Sequence, residues 1–335
     1  MQKPKETSEK IELHTIETYA VFRNIDKSIL ATNRFIEKFG YKFISISLAD
    51  LEKYFSSLFS LPEKFKSKYK VLLGDIDISI SNEFYQALTN NREFGYSLLK
   101  DKEVIFLKSI NDFDQEIINN TINNMGIAMQ HFGNLQNFVK ALTQQFRLFK
   151  NGDINCNTQF QISKELRQVT SKSSGLLSTP TGRSLFSLSE SEAEILGQQF
   201  TETFSSNPLT ELAISNFNLS YDIADIKTKY ITLMTCLESL FNQGRDQIAH
   251  TVSRHLALII SNSEGEFEVN YSRGKELYKL RSAIVHGDKT KEDLHEATEE
   301  LQNKVRQAIN YCLKIQLNKK QLFDKLNSIG FSKSL

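Results

Sequence analysis

The segment LYKLRSAIVHGD, residues 277–288, is typical of the end of an apolar helix, because Gly287 is a common helix stop. It places Arg281 and His286 five positions apart. Arg281 is a permanent cation whose guanidinium can hold a phosphate through two parallel hydrogen bonds. His286 can give or take a proton near neutral pH. These two side chains suffice, in principle, to cleave RNA without a metal.

An Arg–His pair at this spacing is a weak signal by itself. Arg245 and His250, in RDQIAH, have the same spacing. Arg281 could instead be a cation that interacts with the helix dipole, and His286 could cap the last carbonyls of its helix. The segments around the pair must therefore distinguish a catalytic site from an ordinary helix end.

The sequence on both sides of this segment is typical of helices. Ser189 and Glu192 form a capping-box pattern in front of an apolar run. Apolar stripes predict further helices at residues 209–223, 226–244, 245–262 and 292–317. A turn is predicted at GEFEVN, residues 265–270, before the helix that carries Arg281. The pattern predicts an all-helical bundle over residues 185–320.

The N-terminal part has mixed periodicity. Strand-like alternation occurs at residues 41–48, 71–81, 104–110 and 156–163. Helical spacing predicts helices at residues 10–39, 49–60 and 114–150. Residues 166–184 are rich in Ser, Thr, Gly and Pro and are expected to form a linker or loop. The expected fold is therefore mainly α, with an N-terminal α+β region over residues 1–165 that could act as a sensor or regulatory domain.

Residues 181–290 resemble the Apea-like branch of the HEPN superfamily of helical ribonucleases and nucleotide-binding domains. The resemblance runs in order through LSESEAEIL, AISNFN, LMTCLESLF, SRHLALII and LYKLRSAIVHGD. The last block is the most specific, and its matching residues are Tyr278, Leu280, Arg281, Ser282, His286 and Gly287. The resemblance implies a HEPN-like helical domain, with Arg281 and His286 as its catalytic residues.

The implied activity is a metal-independent RNA endonuclease. The RNA's own 2′-OH attacks the neighbouring phosphate and leaves a 2′,3′-cyclic phosphate. Ser282 and Tyr278 are expected to support the site. Glu238 lies among apolar helix positions where a carboxylate needs a partner, and Arg281 or Arg254 could supply it. Arg254 is interpreted as a structural or supporting residue.

The resemblance also implies partners and a biological role. The expected partners are RNA and a second copy of the chain, because HEPN domains commonly form dimers that share one cleft. A toxin-like effector in antiphage defence would need restraint until a regulatory partner or a phage trigger released it. The composition agrees with a soluble protein: the net charge is +1, which allows only a local basic site.

Several classes of function lack support in the sequence. No cofactor or metal is expected, since the three cysteines are widely spaced and no glycine-rich nucleotide loop occurs. A cytoplasmic protein that does not cross a membrane is expected, because the N-terminal residues are charged and apolar runs are short. Two alternatives remain open: a non-catalytic HEPN-like module for dimerisation or for binding RNA or nucleotide, and a metal-dependent nuclease.

Overall fold

The computed structural model describes residues 13–14, 16–47, 69–73, 76–80, 103–109, 115–116, 121–163, 168–173, 185–244, 247–288, 292–315 and 317–329. These residues are mostly helical, with a small antiparallel sheet near the N-terminus. The prediction of a mainly α fold is thus confirmed. The chain forms two compact units. The first takes described residues from 1–143, 154–177 and 185–203, and the second takes those from 144–153 and 204–335.

A five-stranded antiparallel sheet, in the order β3-β6-β2-β8-β9, is the centre of the first unit. Strands β1 and β7 form a separate pair, and β4 and β5 another. The strands are β1 Leu13–His14, β2 Ile16–Arg23, β3 Tyr41–Ser47, β4 Tyr69–Leu73, β5 Ile76–Ile80, β6 Glu103–Ser109, β7 Gln115–Glu116, β8 Asn155–Ser163 and β9 Gln168–Ser173. The strands predicted at residues 41–48, 104–110 and 156–163 are confirmed, whereas residues 71–81 divide between β4 and β5.

The prediction of one or two helices over residues 10–39 is wrong for residues 16–23, which form the central strand β2. Tyr19, Ala20, Val21 and Phe22 are all at most 3% exposed, so both faces of this strand are buried. A continuous apolar run of this kind has no period that separates a strand from a buried helix. Only short helical turns follow: 3-10 segments at Lys27–Thr32 and Glu37–Phe39, and α1 Asn33–Ile36 between them.

Two further N-terminal predictions concern residues 49–60 and 166–184. The helix predicted over residues 49–60 lies outside the described residues. Within the predicted linker, residues 168–173 form β9, which pairs with β8 from Thr158↔Ser173 to Ser163↔Gln168. The Ser- and Thr-rich composition of this segment suits an edge strand as well as a loop, because Thr is favoured in strands.

Residues 185–203, predicted as the start of the bundle, group with the first unit instead. Phe186 forms a parallel β-bridge with Ile25, and the N–H of Leu188 donates to Ser28 Oγ at 2.7 Å. The helix that follows, α3 Glu190–Gln199, starts at a capping box between Ser189 and Glu192, as the sequence predicts. This segment is therefore positioned by contacts with residues that are distant in sequence, and such contacts have no local sequence signature.

Helices make up the described part of the second unit. They are the end of α2 Thr121–Phe149, α4 Glu211–Leu219, α5 Ile226–Phe241, α6 Ile248–Ile260, α7 Glu264–His286, α8 Leu294–Lys314 and α9 Lys319–Ser328. Their core is built around Phe217, Tyr230, Leu240, Phe241 and Ile309, each fully buried. Among the described residues, no helix is long and apolar enough to cross a membrane.

The turn predicted at residues 265–270 is wrong, since these residues form the first turns of α7. Ser263 caps the helix by accepting from the N–H of Glu266 at 3.3 Å. A Ser followed three residues later by Glu is a helix-start pattern, and here it outweighs the low helix propensity of Gly265. As a result α7 extends for 23 residues and ends at the site described next.

Candidate active site

The C-terminal end of α7 carries four of the six predicted site residues: Tyr278, Arg281, Ser282 and His286. The helix ends at His286 because Gly287 adopts a left-handed conformation, with φ 79°. The N–H of Asp288 then donates to the carbonyl of Ala283 at 2.8 Å, which closes the end of the helix. His286 is therefore the last helical residue, and its side chain is exposed.

Glu238, on α5, comes to the Tyr278–Arg281 turn of α7. Its Oε1 accepts from the Tyr278 hydroxyl at 2.8 Å and lies 3.6 Å from Arg281 Nε. Burial, together with this carboxylate, raises the pKa of Tyr278 to about 12, so the hydroxyl remains a donor across the physiological range. Of the two arginines considered as partners of Glu238, the structure pairs it with Arg281.

Arg281 keeps its hydrogen-bonding capacity. Its distance to Glu238 allows attraction between charges but is longer than a hydrogen bond. None of its N–H groups donates to another described residue, and its side chain is 30% exposed. The guanidinium centre lies 5.8 Å from the Tyr278 ring, in cation–π contact. Arg281 is thus held at the surface by charge and ring contacts, while its donors stay available with respect to the described part of the chain.

His286 and Ser282 also keep their polar groups available. Neither side chain makes a hydrogen bond or ion pair within the described residues. Positions five residues apart differ by about 140° around an ideal helix. Arg281 and His286 therefore leave α7 in different directions, and a phosphate bound by both would have to reach around the helix end.

Arg254, on α6, serves a different contact. Its Nη1 donates to the carbonyl of Leu326 at 3.0 Å, and its Nη2 donates to that of Ile329 at 2.6 Å. These carbonyls belong to the end of α9, where helical carbonyls have no partner within the helix. Arg254 therefore closes the end of α9.

Sequence reasoning missed Arg273, two turns before Arg281 on α7. Its guanidinium donates to Glu276, Glu292 and Glu300, with the bond from Nε to Glu300 measuring 2.9 Å. The bond to Glu300 is the main cause that raises the pKa of Arg273 above its usual value. Only Glu276, three residues away, could have been found from spacing.

The second Arg–His pair falls partly outside the described residues, since Arg245 is not among them. His250 Nδ1 lies 2.7 Å from the Tyr271 hydroxyl, and the two rings meet edge to face with centroids 5.7 Å apart. Nothing in the sequence points to Tyr271 as a partner. Its contact with His250 joins two helices, and no local pattern indicates such a contact.

Two cavities lie away from Arg281 and His286. A groove of about 730 Å³ in the second unit is bordered by Leu209, Leu212, Leu313 and Lys319. Partial burial lowers the pKa of Lys319, whose Nζ donates to the carbonyl of Ser239 at 2.8 Å. In the first unit, a pocket of about 310 Å³ is lined by Tyr41, Asn137 and Phe138, among others. Neither cavity includes the residues of the candidate site.

Neither a search for metal ligands nor comparisons with known proteins assign a function to the site. Over the described ranges, no three His, Cys, Asp or Glu side chains come together as possible metal ligands. Comparisons with protein-family models, with curated proteins and with solved structures find no match to this chain. The candidate site therefore depends on its own geometry and on the resemblance of its sequence blocks.

Proposed function

We propose that this chain is a metal-independent RNA endonuclease of the HEPN type, with Arg281 and His286 as its catalytic residues. The observation that supports the proposal most is the state of Arg281. Its position is held by Glu238 and Tyr278, yet none of its donors is used by another described residue. An arginine in this state can bind a phosphate without first breaking a hydrogen bond to those residues.

The proposed reaction is an internal transfer of the phosphoryl group. The 2′-oxygen attacks the adjacent phosphorus, its proton leaves to a base, and the 5′-oxygen of the next nucleotide departs with a proton from an acid. His286 supplies the base or the acid, and Arg281 stabilises the negative charge that builds on the phosphate oxygens. The products are a 2′,3′-cyclic phosphate and a 5′-hydroxyl.

A homodimer is part of the proposal. Arg281 and His286 diverge by about 140° on one helix, so two copies that bring their α7 ends together could surround one phosphate with both residue types. One histidine would then take the first proton while the other gives the second. The proposed setting is the cytoplasm, as a toxin-like effector in antiphage defence that a trigger releases.

The test is cleavage of labelled RNA by the purified full chain in EDTA. We expect Arg281→Ala and His286→Ala each to lower the cleavage rate by at least about 100-fold, the usual scale for losing such a group. Lys320→Ala, at an exposed position on α9, serves as the control and should cleave at the wild-type rate. RNA with a 2′-deoxy nucleotide at the scissile position should resist cleavage.

Other results would redirect the proposal. Cleavage that survives both substitutions would exclude these residues as catalytic. Activity lost in EDTA and restored by a divalent cation would indicate a metal-dependent nuclease. RNA binding by the wild type without any cleavage would favour a non-catalytic module.

A further inference from the structure

One exposed side of α7 leads toward His286 with a regular series of aromatic and basic residues. At about 100° per residue, Tyr271, Lys275, Lys279, Ser282 and His286 fall within about 80° of the helix circumference. Lys275, Lys279 and His286 are exposed, and Tyr271 and Ser282 are half-buried. These five residues, called the α7 strip below, form a continuous surface along the helix.

Tyr271 is held in a fixed orientation at the start of the α7 strip. Its ring stacks on Phe267, with centroids 5.9 Å apart and planes 4° from parallel. His250 binds its hydroxyl at 2.7 Å, and Lys275 Nζ lies 5.4 Å from the ring centroid. Since Phe267 stacks on the ring and Lys275 Nζ lies over it, a base that stacks on Tyr271 would take the place of the lysine ammonium, which would then be close to the phosphate of that base.

The charge of the α7 strip is positive between Tyr271 and His286. Neither Lys275 nor Lys279 has a carboxylate partner within the described residues. Glu276, the acidic residue between them in sequence, lies about 100° from Lys275 around the helix and is bonded to Arg273. The lysine charges are therefore not neutralised by the described part of the chain, which favours an anionic partner.

The length of the α7 strip suits a short single strand. Fifteen residues separate Tyr271 from His286, which is about 22 Å along a helix. A stacked strand that rises about 3.4 Å per nucleotide covers this distance with about seven nucleotides. Stacking on Tyr271 needs an unpaired base, because bases within a duplex present only their edges.

We propose that the α7 strip binds a single-stranded segment of RNA and leads it to Arg281 and His286. One base stacks on Tyr271, and phosphates lie at Lys275 and Lys279. The role in guiding a strand to cleavage rests on the proposed function, whereas the binding itself does not require catalysis. A second copy of the chain is a less suitable occupant of the segment between Tyr271 and His286, since two such segments would bring like-charged lysines together.

Binding is best measured with RNA that cannot be cleaved. We would use fluorescence anisotropy with a short, labelled 2′-O-methyl oligouridine and the full chain. The double variant Lys275→Ala/Lys279→Ala should bind about tenfold more weakly than the wild type. Its salt dependence, as the slope of log K against log salt, should be shallower by about 1.4, which is about 0.7 for each of the two phosphates that the lysines neutralise.

The matched control removes the same charge elsewhere in the second unit. Lys320→Ala/Lys325→Ala changes two exposed lysines of α9 and should leave both the affinity and the salt slope as in the wild type. Tyr271→Ala should weaken binding about tenfold, in the range measured for loss of one stacking ring. Tyr271→Phe keeps the ring and should bind as the wild type, which separates a loss of stacking from a folding defect.

Three results would overturn the α7 strip as an RNA surface: no binding by the wild type, equal binding by the two double lysine variants, or equal binding of duplex and single strand. A changed molecular mass of Lys275→Ala/Lys279→Ala in light scattering, with RNA binding intact, would assign this face to a second copy. If wild-type cleavage depends on Arg281 but the strip variants bind normally, only this inference fails. If the strip variants lose binding and the wild type never cleaves, only the catalytic proposal fails.

Discussion

Two arginines on α7 differ sharply, although they lie only eight residues apart. Arg273 donates to three carboxylates, and its side chain is 26% exposed. Arg281 is 30% exposed, almost the same, yet it donates no hydrogen bond to any described residue. Exposure alone does not separate the two positions. The difference lies in what each guanidinium already holds, and of the two it is Arg281 that is left able to bind a phosphate.

The partners explain why the two positions differ. Arg273 faces Glu300 of α8 with its Nε and Nη2, so its planar fork is filled. Arg281 faces Glu238 of α5, whose Oε1 is already occupied by the Tyr278 hydroxyl. A carboxylate shared in this way attracts the guanidinium without using its donors. The pair suggests a simple criterion for a binding arginine: a nearby charge to position it and no hydrogen bond to break.

Matched substitutions should give the largest effect and separate the two roles. Arg281→Gln should lower the cleavage rate at least about 100-fold while leaving the free energy of unfolding within about 0.5 kcal/mol. Arg273→Gln should do the reverse, lowering the free energy of unfolding by about 1–2 kcal/mol, because it removes the cation that Glu276, Glu292 and Glu300 share. Lys304 Nζ, 3.5 Å from Glu300, would then offset the charge of Glu300 alone among the three. Urea denaturation and cleavage assays on the same samples provide the measurement.

The opposite pattern of effects on cleavage and stability would contradict the roles assigned to Arg273 and Arg281. If Arg273→Gln abolished cleavage at unchanged stability, the catalytic arginine would be misassigned. If both variants only lost stability, both arginines would be structural.

Glu238→Gln should have a smaller effect and would test how Arg281 is positioned. Glutamine can still accept from Tyr278, but it no longer attracts the guanidinium. We expect kcat to fall about tenfold, equivalent to about 1.4 kcal/mol. KM should fall as well, since the charge of Arg281 is no longer offset when RNA binds. Steady-state kinetics would measure the changes in kcat and KM separately, with the wild type and Tyr278→Phe as references.

A purely structural role for Glu238 predicts another result. The melting temperature would fall, whereas KM and the value of kcat per folded molecule would stay unchanged.

The smallest expected effect concerns pH. It would help to distinguish unfolding at low pH from a loss of activity in the folded protein. His255 is buried between Phe241 and Phe323, and burial lowers its pKa below the usual value. As pH falls below about 6.5, the unfolded chain takes up a proton that the folded chain excludes, so the free energy of unfolding decreases. The slope from this one group is at most about 1.4 kcal/mol per pH unit.

His255→Gln removes this titrating group, so the variant is compared with the wild type over the same pH range. Its free energy of unfolding should fall less than that of the wild type between pH 8 and pH 5. Equal slopes for the two proteins would contradict the assignment to His255. Loss of cleavage at a pH where the wild type remains folded would then be attributed to groups at the site.

The sequence predicted the helical class and the helix that ends at Gly287, because a 3.6-residue period and a glycine stop are local signals. It did not predict β2, whose run of Tyr19, Ala20, Val21 and Phe22 is buried on both faces. It also placed a turn at Gly265, where the Ser263 cap in fact starts α7. Local signals failed where burial or a cap outweighed the propensity of single residues.

The same limit applies to the candidate site. The contact of Glu238 with Arg281 was one of two options, because a carboxylate among apolar residues predicts a partner but not which one. The acidic cluster around Arg273 was missed, since Glu292 and Glu300 lie 19 and 27 residues away on another part of the chain. Contacts between helices depend on packing that no spacing within one helix reveals.

Gly287 has a consequence for how this chain can vary. Its φ of 79° suits glycine, and a Cβ there would meet no atom of the described residues within 4 Å, so the cost that these residues show is strain in the backbone. Asparagine tolerates this conformation best among the other residues, yet every glycine codon is at least two base changes from an asparagine codon. Aspartate, which also tolerates it, is the one such residue that a single base change can reach. Most point mutations at this codon would therefore disturb the helix end that places His286, which makes the position a sensitive one in a mutational scan.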